Sequence, residues 1–384
     1  MGKVLYVATW NPFTSGGGSQ ATRAFLDATL EVFGKDNVDV IINHGVSIPE
    51  SYKASNFIEV PPRSRLKSLF FFLFGVLGSH TMPTLKIIKN NPDRYDWIIF
   101  NGGREAGWCF KRLKKFTLNK VVIHHNQEVE FCMDTRSIYT LGNKWPYTVR
   151  HEEKNAFKFS DFNLFLTKQD MEAFPRMYGS TKARNSLLGT FDFKDREIEI
   201  INKENKQFDI SVSGSLVDYQ TTVGIQDFYN RYFPLVEKLL PDVKILFTGR
   251  NPSRPILDIV ASNKDHFSIV ANPTQILSVV QKGRIYLCPT CIGGGLKLRA
   301  MDGLKCGLPV LVHEVSARGY DFYFSKPYFK IYNDEYSFEK GLKEIISYLE
   351  DNSDSSIIIN RDYYEYFGYS KGVERMKQIL LREL

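Results

Sequence analysis

Apolar residues fall in two alternating textures along the chain. Short runs are almost wholly apolar: KVLYVATW at 3–10, VDVIIN at 38–43, DWIIF at 96–100, KVVIHH at 120–125 and DFNLFLT at 161–167. Such runs suit strands buried on both faces. Longer stretches with helical spacing lie between them. The first carries Ala24, Leu26, Ala28, Leu30 and Phe33, with Ser19 as its expected N-cap and Gly34 as its stop. Strand and helix in alternation predict parallel βαβ units. The texture breaks at 194–206, KDREIEIINKENK, which is polar and charge-rich. It resumes with FDISVSGSL at 208–216, a helix over 224–239, VKILFTG at 243–249, FSIVA at 267–271, RIYLCPT at 284–290 and PVLVH at 309–313. A helix over about 370–384 closes the chain, with Met376, Ile379, Leu380 and Leu384 apolar. The expected organisation is α/β: a Rossmann-like domain at 1–195, a linker at 196–207, and a second Rossmann-like domain at 208–366. Residues 367–384 are expected to pack back toward the first domain.

Composition narrows the function. At 384 residues the chain is too long for one ordinary core. Fifty Lys and Arg against 43 Asp and Glu give a net charge of +7, too mild over this length to mark a nucleic-acid binder. The opening MGKVLYVATW has no apolar leader core, so no secretory signal is expected. Five cysteines make no disulfide framework and fit a reducing compartment. Cys288 and Cys291 form a lone C-x-x-C without the second pair or histidines a zinc site needs, and no Asp-x-Asp pair appears, so no metal is implied.

Two glycine clusters are placed for anion chemistry. Gly16, Gly17 and Gly18 stand between a strand and a helix, where backbone N–H groups can approach a phosphate; a connecting turn is the alternative. Gly293, Gly294 and Gly295 follow another strand, and a helix is expected from about Leu296 until Gly307 and Pro309 stop it. Lys297 then falls in the first helical turn, where a cation opposes the helix dipole and is better explained by an anion that it holds. Asp302 shares a face with Leu298 and suits a sugar diol. His124 and His125 end a predicted strand at the carboxyl edge where α/β proteins bind ligands, with Asn126 and Glu128 just beyond. Each of these also has a bland reading, as a solvated charge or a structural histidine. At 63–78, RSRLKSLFFFLFGVLG joins three basic residues to an aromatic run too short to cross a bilayer. It suits either an anionic membrane interface or a buried helix.

The run GGGLKLRAMDGLKCGLPVLVHEVSARG at 293–319 resembles the donor-site segment of GT-B glycosyltransferases of family four. The segment at 213–252 is similar to the opening of that family's nucleotide-sugar domain. HHNQEVE at 124–130 resembles a segment of capsule and polysaccharide transferases. The resemblance implies a GT-B fold, with two facing Rossmann-like domains and a C-terminal crossover helix. It implies a retaining hexosyltransferase that passes a sugar from a nucleoside diphospho-sugar, UDP or GDP type, to a glycan or lipid-linked acceptor. No further cofactor and no nucleic acid are implied, and the expected location is cytoplasmic, peripheral on the inner membrane face through 63–78.

By the same resemblance His125, Glu128 and Lys297 are catalytic. Donor contacts come from Gly16, Gly17, Gly18, Gly214, Ser215, Arg250, Gly293, Gly294, Gly295, Leu296 and Asp302. Where the family carries Glu, seven residues, Glu, this chain has Gly294 and Asp302. The family's Arg and Lys after the first glycine of the domain are absent, and Arg250 and Lys297, with Arg299 third, are the expected substitutes. A sugar-nucleotide epimerase on the same frame and a degenerate, non-catalytic partner of an active transferase are the rival readings.

Overall fold

The computed structural model describes residues 2–14, 16–53, 55–61, 64–73, 75–134, 144–194 and 198–381. Arg63, Phe74, Leu384 and linker positions 196 and 197 lie outside them. The chain divides into two compact units, one of residues 1–196 with 367–384 and one of residues 197–366.

The first unit is built on a seven-stranded sheet. Its strands are β1 (Val4–Ala8), β2 (Val38–Asn43), β3 (Asn56–Val60), β4 (Trp97–Asn101), β5 (Asn119–His124), β6 (Phe162–Phe165) and β7 (Arg184–Leu187), in the order β3-β2-β1-β4-β5-β6-β7. All pairings are parallel; Val4 lies in register with Val38 on one side and Trp97 on the other. β1 and β4 are buried along their whole length, which accounts for their unbroken apolar sequence.

The second unit holds β8 (Phe208–Ser215), β9 (Ile245–Arg250), β10 (Phe267–Ala271), β11 (Gly283–Cys288), β12 (Val310–His313) and β13 (Phe329–Tyr332). Their order is β10-β9-β8-β11-β12-β13, again all parallel. Phe228, Tyr232, Phe247, Phe338 and Leu342 are central to its core. Helix Glu335–Asp351 starts on a capping box in which Asp334 and Ser337 satisfy each other's backbone N–H groups.

Both sheets reverse their winding beside their first strand. β1 lies between β2 and β4, and β8 lies between β9 and β11. Crossover connections leave in opposite directions there, so the carboxyl ends of β1 with β4, and of β8 with β11, open as crevices. Each glycine cluster follows one of these strands.

Three helix boundaries differ from expectation. The first helix spans Gly17–Phe33 with Gly16 as its extended N-cap, so the glycines form its first turn; the Gln20 N–H donates to the Gly16 carbonyl at 2.9 Å. Ser19 is inside that helix, its hydroxyl 2.7 Å from that of Thr14. The helix expected over 224–239 begins earlier, as Tyr219–Asp227, and continues through a π-wound turn, Phe228–Tyr232, into Phe233–Leu239. The helix expected from Leu296 is confined to Arg299–Lys305, so Lys297 precedes it. The closing helix, Tyr369–Leu381, packs within the first unit against Gly17–Phe33. There the Tyr369 hydroxyl donates to Glu31 Oε2 at 2.8 Å, and Arg375 Nε donates to the Leu188 carbonyl at 2.9 Å.

Candidate functional site

In the first unit, polar groups converge on the β1–β4 crevice. Asn101, the last residue of β4, is fully buried, so its amide must find partners. Its Nδ2 donates to Thr22 Oγ1 at 2.7 Å, and the Thr22 hydroxyl donates to the Gly18 carbonyl at 2.7 Å. The remaining Asn101 oxygen lies 2.5 Å from His125 Nε2. With the amide oriented by Thr22, His125 carries its proton on Nε2, which leaves Nδ1 as an acceptor. Burial holds the His125 ring down to about 4, so it is neutral at physiological pH. The glycine helix start and His125 are thus two ends of one hydrogen-bond chain.

His124 serves the core instead. Its Nε2 lies 3.0 Å from Asn163 Oδ1 and its ring stacks on Phe165 at 4.9 Å. Asn126 Oδ1 is buried without a hydrogen-bond partner. Glu128 opens helix Glu128–Asp134, and its N–H donates to Glu153 Oε1 at 2.7 Å. Burial pushes the Glu128 carboxyl up, Arg104 pulls it down and Glu105 raises it again.

In the second unit the glycine bend follows β11. Gly293 and Gly295 have φ of 90° and 72°, a left-handed region that only glycine enters freely. A Cβ on Gly293 would lie 2.1 Å from Gln220 Nε2. All three glycines are buried, and Leu296 is half-buried. Lys297 Nζ donates to the Gly294 carbonyl at 2.9 Å and to Gln220 Oε1 at 3.3 Å. An arriving phosphate would exchange those neutral acceptors for a charged one, a stronger partner for an ammonium. Tyr320 fixes the loop from behind, its hydroxyl donating to the Lys297 carbonyl at 2.7 Å.

Arg299 lies along the same edge. A Cβ on Gly214 would come within 2.6 Å of Arg299 Nε, so that glycine is needed for the guanidinium to cross the end of β8. Arg299 donates to Thr290 Oγ1 at 3.2 Å and pairs with Asp218 at 3.9 Å. Ser215 is in register with Arg250 at the end of β9, where the Arg250 side chain is exposed. Asp302 is half-buried in helix Arg299–Lys305, which Gly303 brings against the Tyr286 ring.

No family model and no curated protein matches the sequence. Solved structures match across the full length. Anabaena Alr3699/HepE in complex with UDP aligns with a TM-score of 0.67 at 9% identity, covering 100% of both chains. Sucrose-phosphate synthase (tll1590) from Thermosynechococcus elongatus gives 0.67 at 14% identity, covering 99% of this chain and 98% of that one. WaaG, a glycosyltransferase involved in lipopolysaccharide biosynthesis, gives 0.65 at 14%, covering 98% and 99%. The fold is GT-B.

In this GT-B chain the first unit joins Gly18 to His125, with Gly16 and Gly17 at the same helix start, and sets Glu128 beyond. The second gathers Gly293, Gly294, Lys297 and Arg299, with Gly214, Ser215 and Arg250 along the neighbouring strand ends. Asn101, Thr22, Gln220 and Thr290 escape sequence reading. Only the position of Asn101, at the end of an apolar run before Gly102-Gly103, signals it.

Proposed function

We propose that this protein is a retaining glycosyltransferase of family-four type, moving a hexosyl group from a nucleoside diphospho-sugar to a polysaccharide or lipid-linked acceptor. The observation that carries the reading is the pair of loaded switch points: a lysine and an arginine beside a triple-glycine bend in one unit, and a neutral histidine tied to a glycine helix start in the other. The GT-B neighbours named above, one of them holding UDP, support it.

In this reading the second unit holds the nucleoside diphosphate. Lys297, Arg299 and Arg250 neutralise the diphosphate as the bond from its oxygen to the anomeric carbon breaks. Asp302 accepts from the ribose hydroxyls. Gly16, Gly17 and Gly18 present helix N–H groups to donor oxygens. His125 and the buried Asn126 oxygen accept from sugar hydroxyls. The acceptor oxygen attacks the face that the diphosphate leaves, and its proton passes to a leaving phosphate oxygen, so configuration is retained without a protein nucleophile. Glu128 orients the acceptor.

Helix Arg65–Leu73 supports a peripheral attachment. Leu66, Leu69 and Phe70 are 81%, 52% and 57% exposed, with Lys67 beside them, which favours the interface reading over a buried helix. No helix among the described residues is long and apolar enough to cross a membrane. The test is a thermal-shift screen of nucleoside diphosphates and their sugar conjugates, followed by turnover with the best donor and NMR of the product anomer. Transfer with retained configuration is expected. Epimer formed without acceptor would favour the epimerase, and no nucleotide binding at all would leave a non-catalytic partner.

A further inference from the structure

Two fully buried glutamates, Glu152 and Glu153, lie side by side in helix Lys144–Phe159. Taking a carboxyl out of water is costly, and only the hydrogen bonds it makes offset that cost. Where the partners sit is therefore informative. Both oxygens of Glu153 are engaged: Oε1 accepts the Glu128 N–H at 2.7 Å, and Oε2 lies 2.5 Å from the Tyr178 hydroxyl. Asp170, on helix Lys168–Tyr178, takes the preceding residue, accepting from Gln127 Nε2 at 3.3 Å. Two buried acids on two helices thus end on consecutive residues of the loop that begins at His125.

We infer that Glu153, braced by Tyr178 and assisted by Asp170, is a positioning residue that fixes Glu128 and the 125–128 loop for the transfer step. This rests on the reading that Glu128 orients the acceptor. The bond to Glu153 occupies the first N–H of helix Glu128–Asp134, a group with no partner inside its own helix. It sets where that helix starts, and so where the Glu128 side chain leaves the backbone. Burial, with Glu128 and Asp170 adding to it, pushes the Glu153 carboxyl up to about 8. Near neutral pH it is mainly the protonated acid, so an uncharged amide of the same shape is its close mimic.

The test compares Glu153→Leu, Glu153→Gln, Tyr178→Phe and Glu128→Gln in the full chain. Melting temperature, nucleoside-diphosphate affinity and steady-state transfer are measured for each. The leucine variant is expected to stay folded and to bind nucleotide as wild type does, since that site is in the other unit, while kcat falls about 100-fold from misplacement alone. The glutamine variant recovers most of the rate, and Tyr178→Phe stays folded but loses several-fold in kcat. A merely structural role predicts instead that rate follows stability and that glutamine is no better than leucine; either result overturns the inference. Should the leucine variant not fold, an unchanged kcat in Tyr178→Phe overturns it as well. Wild-type kcat in Glu128→Gln removes Glu128 from the site and defeats the underlying reading. Impaired Glu128→Gln with intact Glu153→Leu defeats only the positioning role.

Discussion

Gly107 is the residue on which the 103–112 helix can approach the 144–159 helix, and replacing it with alanine probes that packing. A Cβ there would stand 2.0 Å from the Glu152 carbonyl oxygen and 2.9 Å from the Ala156 nitrogen. Ordinary contact begins at 3.4 Å, and the obstructing atoms are backbone, so no side chain can swing aside; the helices must part by about 1.4 Å. Overpacking of this kind costs about 1–3 kcal/mol. The Trp108 N–H, which donates to Glu152 Oε2 at 2.9 Å, is pulled off its acceptor for about another 1 kcal/mol. Against this, alanine gains about 1 kcal/mol of helix propensity over glycine. The net expectation is that Gly107→Ala destabilises the first unit by about 2 kcal/mol. Urea unfolding followed by tryptophan fluorescence, in which Trp108 sits beside the change, reads it as a lowered midpoint with an unaltered slope. A variant as stable as wild type, or more so, would show that these helices do not meet at Gly107.

Lys297→Ala should weaken nucleoside-diphosphate binding by about 1–3 kcal/mol, the loss of one charge-assisted contact, and calorimetry giving an unchanged Kd would remove Lys297 from the site. Burial raises Glu152 and Glu153 to about 8, so the folded protein keeps protons that the unfolded chain has released. Between about pH 6.5 and 8 stability should therefore fall as pH rises, by up to about 1.4 kcal/mol per pH unit for each glutamate. Below that window His124 and His125, held near 4, act in the opposite sense. Glu152→Gln should remove one share of the slope, and an unaltered slope would refute the assignment. A Leu66→Ser, Phe70→Ser double variant should sediment less with anionic liposomes than wild type; equal sedimentation would count against docking through this helix.

The central strands were readable because they are buried on both faces and carry unbroken apolar runs. β3 and β7 were not: each lies at a sheet edge with mostly half-buried or exposed residues, so NFIEV and RNSL show too little pattern to mark a strand. Ser19 misled because serine is a strong N-cap by type, whereas Gly16 starts the helix without a side-chain cap. Lys297 was placed on a helix that forms two residues later, as the left-handed Gly295 prolongs the bend. The catalytic candidates were reachable from strand ends and glycine spacing. Glu153 was not, because HEEK reads as a solvated charge run. The signal lay in its company: Val149, Glu152, Glu153, Ala156 and Phe157 share one helical face, and all are buried.

The helix Tyr369–Leu381 completes the first unit although it is made after the whole of the second. On the ribosome, the surface of Gly17–Phe33 that receives Met376 and Tyr369 must wait for the whole second unit to emerge, tens of seconds at about 5–20 residues per second. The 197–366 unit is held at both ends by its host, like a passenger domain, and can finish folding while its host is still unfinished. Trimming a dozen residues from the carboxyl terminus would therefore injure the amino-terminal unit first.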